Sequence, residues 1–228
     1  MVAEVELGKK IYVLANGQWR EVSEELKEKV ENYFRDHNLL LDLPYLPQGI
    51  KIYDAKREQN REEVYNAHVA AAEPDIFLFD QAKVEIAGKR LYEICDLLHA
   101  DKHFVHVKKY SSGSASISHI FTQTKLYSHA FAVDEAARRS VRDWIEESKL
   151  EPNKGKNKAA FKNIIPLKKS ELREPDYTVI FCLLHAEPKF DLSDLPFMAQ
   201  YELMLSHRFL TEDRNFKVGV IFRSVVLG

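Results

Sequence analysis

Four polar side chains sit in or beside apolar runs of the sequence: Asp80, Glu93, His106 and Lys108. An unpaired charge in such a place costs several kcal/mol, so the groups are expected to be paired, ligated or functional. Together they define a chemistry. Asp80 and Glu93, with Asp96 as an alternative, can hold Mg²⁺ or Mn²⁺ through oxygen. The ion activates water and stabilises charge growing on a phosphate. Lys108 would position the attacking water or neutralise the phosphate, and His106 would ligate through nitrogen or carry a proton. The bland alternative is a Glu93–Lys108 cross-strand ion pair beside an ordinary sheet histidine.

Strand geometry decides whether these groups meet, because successive side chains point to opposite faces. The runs "PDIFLFDQAKVEI", "KRLYEICDLL" and "HFVHVKKY" read as three antiparallel strands. A two-residue turn at Ala87-Gly88 sets Ile86 opposite Lys89 and Asp80 opposite Cys95. A four-residue turn over His99–Lys102 sets Leu98 opposite His103, Cys95 opposite His106, and Glu93 opposite Lys108. Asp80, Glu93, His106 and Lys108 then share one face, with cross-strand Cβ atoms ~5 Å apart. Phe79, Ile94, Val105 and Val107 take the other face, and Asp96 points away from the cluster. A slip of one residue reverses every assignment and brings Asp96 in as the ligand.

Flanking residues extend the site. Glu63 and Asn66 share a face of a helix within "NREEVYNAHVAAAE", with Glu62 and Tyr65 nearby; Glu63 would assist catalysis and Asn66 would contact nucleic acid. "SSGSAS" offers hydroxyls and N–H groups before the helix "ISHIFTQTKLYSHAFA", a place where phosphate binds. Ser118, His119, Gln123 and Lys109 are the further nucleic-acid contacts. Cys95 with His106 is a poor nucleophile pair, because a thiol between Ile94 and Leu97 in a strand is inert. Residues 149–169 carry seven lysines against one glutamate, which predicts a mobile basic segment or loop. Such lysines can track a nucleic-acid backbone, although a solvated loop is the simpler reading. No Walker loop, dinucleotide fingerprint, zinc spacing or Gly-x-Ser-x-Gly elbow occurs.

The remaining elements supply the frame. Asn16-Gly17 centres a hairpin over 9–21, and Ser23 opens an amphipathic helix from about 23 to 38. Pro44, Pro47 and Gly49 mark a loop, and Asp134 caps a helix near 133–148. Strands near 176–185 and 216–226 enclose a helix over 195–215, and the strand near 177 can join the sheet parallel to a neighbour. The order predicts an α/β fold: a central mixed sheet with an antiparallel three-stranded meander, flanked by helices. It is expected to be a single domain over 1–228, with a hairpin–helix unit at 9–45, the core and site at 60–132, and the basic loop at 149–169. A net charge of −2 gives no whole-molecule bias toward nucleic acid or membranes. No apolar run reaches the ~18 residues of a membrane span, and no signal core opens the chain. Cys95 and Cys182 lack metal-site spacing and read as reduced, buried thiols of a cytoplasmic protein.

The segments "IYVLANGQWREVSEELKEKVENYF", "REEVYNAHVA", "IFLFDQ", "LYEICDLL", "FVHVKKYSSGSASISHIFTQ" and "LPFMAQYEL" resemble, in the same order, a sporadically distributed bacterial family of uncharacterised proteins found near restriction and phage-defence genes. The likeness runs from about residue 9 to 220, and "E-x-C-D", "H-V-K" and "S-H-x-F-x-Q" are its most specific parts. Typical members are longer, so the chain resembles their C-terminal portion or a short standalone form. The resemblance implies a role in antiviral defence, alone or with a defence-system protein partner. By analogy with other defence effectors it also implies a restriction-endonuclease-like fold. Nucleases with PD-(D/E)XK sites place their acids and lysine on a hairpin and the next strand. "FVHVKK" occupies that strand here, with His106 where the second acid is expected. The expectation is a metal-dependent nuclease acting on DNA or RNA. The rival is a nuclease-like module that has lost its chemistry and binds nucleic acid or a protein.

Overall fold

The computed structural model describes residues 3–15, 17–79, 82, 84–86, 89–92, 94–111 and 114–228. Its N-terminal part is a three-stranded antiparallel sheet of β1 (Ala3–Leu7), β2 (Lys10–Ala15) and β3 (Gln18–Glu21). Gly17 takes a positive φ of 76° between β2 and β3, as the expected tight turn requires. Helix α1 (Glu24–Asp36) follows. Ser23 caps it by accepting the Leu26 N–H, while Val30 points inward. Glu4 fastens this unit to the rest of the chain by accepting the N–H groups of Phe197 and Met198, both at 2.8 Å.

Short strands β4 (Ile50–Lys51), β5 (Tyr53–Asp54) and β6 (Gln59–Asn60) lead to α2 (Glu62–Ala72). Then come β7 (Ile76–Leu78), β8 (Val84–Ile86), β9 (Lys89–Tyr92), β10 (Leu97–His99) and β11 (His103–Lys109). Two long helices follow, α3 (Ser114–Val133) and α4 (Glu135–Glu147), the latter capped by Asp134 through the Ala136 N–H. Helix α5 (Lys158–Asn163), β12 (Thr178–His185), α6 (Phe197–Arg208) with a π turn over Phe209–Asp213, and β13 (Lys217–Val226) complete the chain.

The central sheet has six strands in the order β4-β13-β12-β11-β10-β7. Strands β7, β10 and β11 form the expected antiparallel meander, and β12 joins β11 in parallel. β12 reads TVIFCLLH and is buried from Val179 to His185, as a parallel strand covered on both faces must be. One face packs under α3 and α4 through Phe104, Phe121, Phe131 and Phe181. The other packs under α2 through Tyr65, Val69, Val105 and Val107. Both cysteines are buried and unbridged. No described helix is long and apolar enough to cross a membrane.

Three expectations about the frame change. The first hairpin is not one ladder. Its base, β7 with β10, lies in the central sheet, while β8 and β9 form a separate two-stranded ribbon. Ile86 does pair with Lys89, and a register shift follows at Val84/Glu85; the turn residues Ala87 and Gly88 lie outside the described residues. Second, Phe79 and Ile94 pack with Phe104 and Phe181, on the face opposite Val105 and Val107.

Third, the segment 149–169 is a packed clamp rather than a free basic loop. Lys156 donates its ammonium to the carbonyls of Ala70, Glu73 and Ile76, and Lys158 reaches those of Glu146 and Ser148. Four of these carbonyls lie at the ends of α2 and α4, where intrahelical donors are lacking, and that of Ile76 begins β7. Asn153 bonds both backbone groups of Leu78, accepting its N–H at 2.7 Å and donating to its C=O at 2.9 Å. It thereby covers the outer edge of β7. Asn153→Leu leaves two buried backbone groups unpaired and is expected to cost about 1–3 kcal/mol, read as a lowered urea midpoint. An unchanged midpoint would show that these bonds add nothing net.

Candidate active site

The turn between β10 and β11 sets the geometry. It spans three residues rather than four: His99 pairs with His103, Leu98 with Phe104 and Leu97 with Val105. Lys102 closes it at a positive φ of 64°, the left-handed position of a three-residue hairpin. The expected pairing of Leu98 with His103 is thus displaced by one residue. The strand then recovers the displaced residue. The Asp96 N–H also reaches the Val105 carbonyl, at 2.9 Å, so Asp96 and Leu97 both stand opposite Val105. Two residues against one is a β-bulge, a device that re-aims side chains beside active sites.

At the bulge Asp96 turns its carboxylate along β11, where Oδ2 accepts the Val107 N–H at 2.6 Å. A cleft of about 260 Å³ opens here, lined by Glu62, Asp96, His106, Lys108, His119 and Gln123. Cys95, Thr124 and Tyr127 complete its polar lining. Lys108, near the C-terminal end of β11, donates to Glu62 Oε1 at 2.6 Å. The other oxygen of Glu62 accepts the Lys109 N–H at 2.8 Å. Glu62 is the first residue of α2, so its carboxylate also meets the positive end of that helix.

His106 lies on the cleft floor, 4% exposed, and its Nε2 has no hydrogen-bond partner among the described residues. Burial alone pushes its imidazole down to about 3. The ring is neutral at physiological pH and suits a ligand better than a proton carrier. Thr124, fully buried on α3, likewise has no partner for its hydroxyl among the described residues.

The expected site residues therefore divide. Asp96, His106, Lys108, His119 and Gln123 come together in the cleft. Asp80 and Glu93 lie outside the described residues, as do residues 112 and 113 of the small-residue loop. Glu63 instead pairs with Arg61 and borders a neighbouring cavity of about 340 Å³ together with Lys109, whose ammonium bonds the Asn60 carbonyl at 3.1 Å. Asn66 is fully buried, with neither amide atom partnered among the described residues, so it offers no surface contact. The Ser118 hydroxyl is buried and does not line the cleft.

Sequence reasoning named Glu62 only as a neighbour of Glu63 and passed over Thr124. Thr124 carried a signal: it interrupts the apolar stripe Ile117, Ile120, Phe121, Tyr127, Phe131 of α3, and a polar residue in such a stripe needs a reason. Glu62 differs from Glu63 only by a turn of ~100° about the helix axis, which periodicity alone does not orient.

Among the described residues no three His, Cys, Asp or Glu side chains are grouped to hold a metal ion. Asp96 offers the cleft a carboxylate, but Nε2 of His106 is buried out of reach of a water-sized probe, so the described residues do not fit a divalent ion. No curated protein matches the chain, and no solved structure does. A family model matches residues 1–223; its description is a family of unknown function, DUF6119.

Proposed function

The chain belongs to that family, DUF6119, and on the geometry of its cleft we propose that it is a nuclease-fold phosphodiesterase acting on DNA or RNA. One observation carries the reading. Asp96 from the bulge, Lys108 from the neighbouring strand and Glu62 from a helix start converge on one cleft, where an antiparallel meander passes into parallel strands. An acid beside a strand lysine, backed by a helical acid, is how PD-(D/E)XK nucleases arrange their sites. The order β7-β10-β11-β12 agrees with a restriction-endonuclease-like core, and the defence role implied by the family resemblance suits such an activity.

In this reading Lys108 exchanges Glu62 for the scissile phosphate and lowers the cost of charge on its oxygens. Gln123 and His119, one turn apart on α3, hold the nucleic-acid backbone or a base edge. Water oxygen bonds to phosphorus, the ester P–O bond breaks, and the proton lost by water ends on the departing oxygen by way of solvent. For the expected Mg²⁺ or Mn²⁺ the described residues offer the cleft only acid side chains such as Asp96, short of a metal site, so no step is routed through an ion.

The test is cleavage of plasmid DNA and of RNA with Mg²⁺ or Mn²⁺. Lys108→Ala is expected to lower the rate roughly 10²–10³-fold, with its fold intact by circular dichroism. A wild type that cuts nothing under either metal, or a variant that cuts normally, removes the catalytic role.

A second reading rests on the partners already in place. The Lys108 ammonium and the Asp96 carboxylate are both engaged by protein groups, and a histidine stands where the family of nuclease sites has an acid. A nuclease-fold module that binds nucleic acid within a defence complex fits this. Its signature is an electrophoretic shift with steep salt dependence and no cleavage.

A further inference from the structure

We infer that the substrate strand runs past the Lys108–Glu62 pair into the neighbouring cavity, where the Lys109 ammonium holds a second phosphate. The inference rests on the phosphodiesterase reading and narrows its substrate to a strand carrying at least two phosphates.

The two cavities share a wall. Glu62 and Lys108 line both the cleft of about 260 Å³ and the neighbouring space of about 340 Å³. Asp96, His119 and Gln123 belong to the cleft alone, and Arg61, Lys109 and Ser111 to the second space alone. A phosphate seated at Lys108 thus has room on both sides. Nucleic acid repeats its phosphate at every nucleotide, so the next one along the strand falls into the adjoining space.

Charge in that space is unevenly matched. Glu63 pairs with Arg61, and Glu62 pairs with Lys108. Lys109 is left over: its ammonium donates to the neutral carbonyl of Asn60, at 3.1 Å, and meets no carboxylate among the described residues. A lysine ammonium has three donors, so two remain for phosphate oxygens. Lysine binds phosphate as a point charge.

The surplus lysine is also held in step with the first. Lys109 is the last residue of β11, and its N–H donates to Glu62 Oε2 at 2.8 Å. The other oxygen of the same carboxylate accepts the Lys108 ammonium. Consecutive strand residues point to opposite sides, which lets two adjacent lysines serve two phosphates instead of crowding one. The bond from the Lys109 N–H belongs to the backbone, so changing the side chain leaves Glu62 anchored.

The experiment is fluorescence anisotropy of labelled single-stranded DNA and RNA of about twelve nucleotides, titrated with the full chain over a series of salt concentrations. Lys109→Gln keeps a donor for the Asn60 carbonyl and removes the charge. It is expected to weaken binding roughly three- to tenfold and to lower the slope of log affinity against log salt by about one. Lys109→Arg is expected to restore the slope. Lys154→Gln, which changes an exposed lysine of a different cavity, is expected to match wild type. Both probes sharing the loss points to the phosphate backbone, and a loss confined to RNA or to DNA names the strand. A Lys109→Gln slope equal to that of wild type, an equal fall in Lys154→Gln, or a wild type that binds neither probe would each overturn the inference. Cleavage is judged separately. A protein that cuts nucleic acid yet ignores Lys109→Gln keeps the phosphodiesterase reading and loses this one; a protein whose binding depends on Lys109 but which never cuts does the reverse.

Discussion

Asp96→Asn is expected to slow cleavage sharply while the protein stays folded, and Asp96→Ala to lose stability as well. The two outcomes separate the carboxylate's roles. Its Oδ2 takes the N–H of Val107, a residue 3% exposed, at 2.6 Å. Alanine leaves that N–H buried and unpaired, at a cost of about 1–3 kcal/mol. Asparagine keeps an acceptor oxygen in the same place and is expected to retain most of that stability. It removes the negative charge, and with it any hold on a cation or on the electrostatics of the transition state. A fall in rate of roughly 10²–10³-fold is expected for asparagine, measured as nicking of plasmid DNA. The urea midpoint should fall for alanine far more than for asparagine. Full activity in Asp96→Asn would leave the bulge a structural detail and remove Asp96 from the chemistry.

Lys156→Met is expected to be the most damaging change among the lysines of 149–169. Its ammonium meets three carbonyls, those of Ala70, Glu73 and Ile76, at the end of α2 and the start of β7. Burial holds this amine below its ordinary range. The nearby carboxylates of Asp75 and Glu73 oppose that effect, and the three acceptors at the negative end of the helix receive its protons. Methionine keeps the length of the stem and removes every donor. A loss of roughly 2–3 kcal/mol is expected, against less than about 0.5 kcal/mol for Lys154→Met, whose side chain is 78% exposed. Equal midpoints for the two variants would mean that the segment is only solvated charge. Limited proteolysis gives a second check, since loosening α2 also loosens Glu62, its first residue.

How much of this was legible in the residues follows from the range of the interactions involved. Ser23 before an acidic first turn, the β-branched and aromatic run of β12, and the alternation in β11 are local patterns, and each element lies where its pattern puts it. The bulge at Asp96 was not legible. It arises because a three-residue turn closed by Lys102 in a left-handed conformation leaves the strand one residue out of step. Lysine gives no hint of that conformation as glycine would have. The faces assigned to Phe79 and Ile94 failed for a related reason, because the hairpin splits into a base and a separate ribbon, and alternation does not carry across the break. Residues 149–169 misled through composition. A lysine count measures charge, while Lys156 and Lys158 use their charge on carbonyls far away in sequence. Within the site, the cluster on β11 and α3 was visible as spacing, whereas the choice of Glu62 over Glu63 depended on how α2 docks.

The grip of Asn153 on Leu78 bears on solubility as well as on stability. A six-stranded sheet ends in a bare rail of amide and carbonyl groups, and such rails recruit strands from other molecules. Here a side chain from the lysine-rich stretch occupies part of that rail. A nick in the stretch, or a tag spliced into it, is therefore expected to announce itself as clouding of the sample and strand-swapped assemblies, before any change at the cleft is felt.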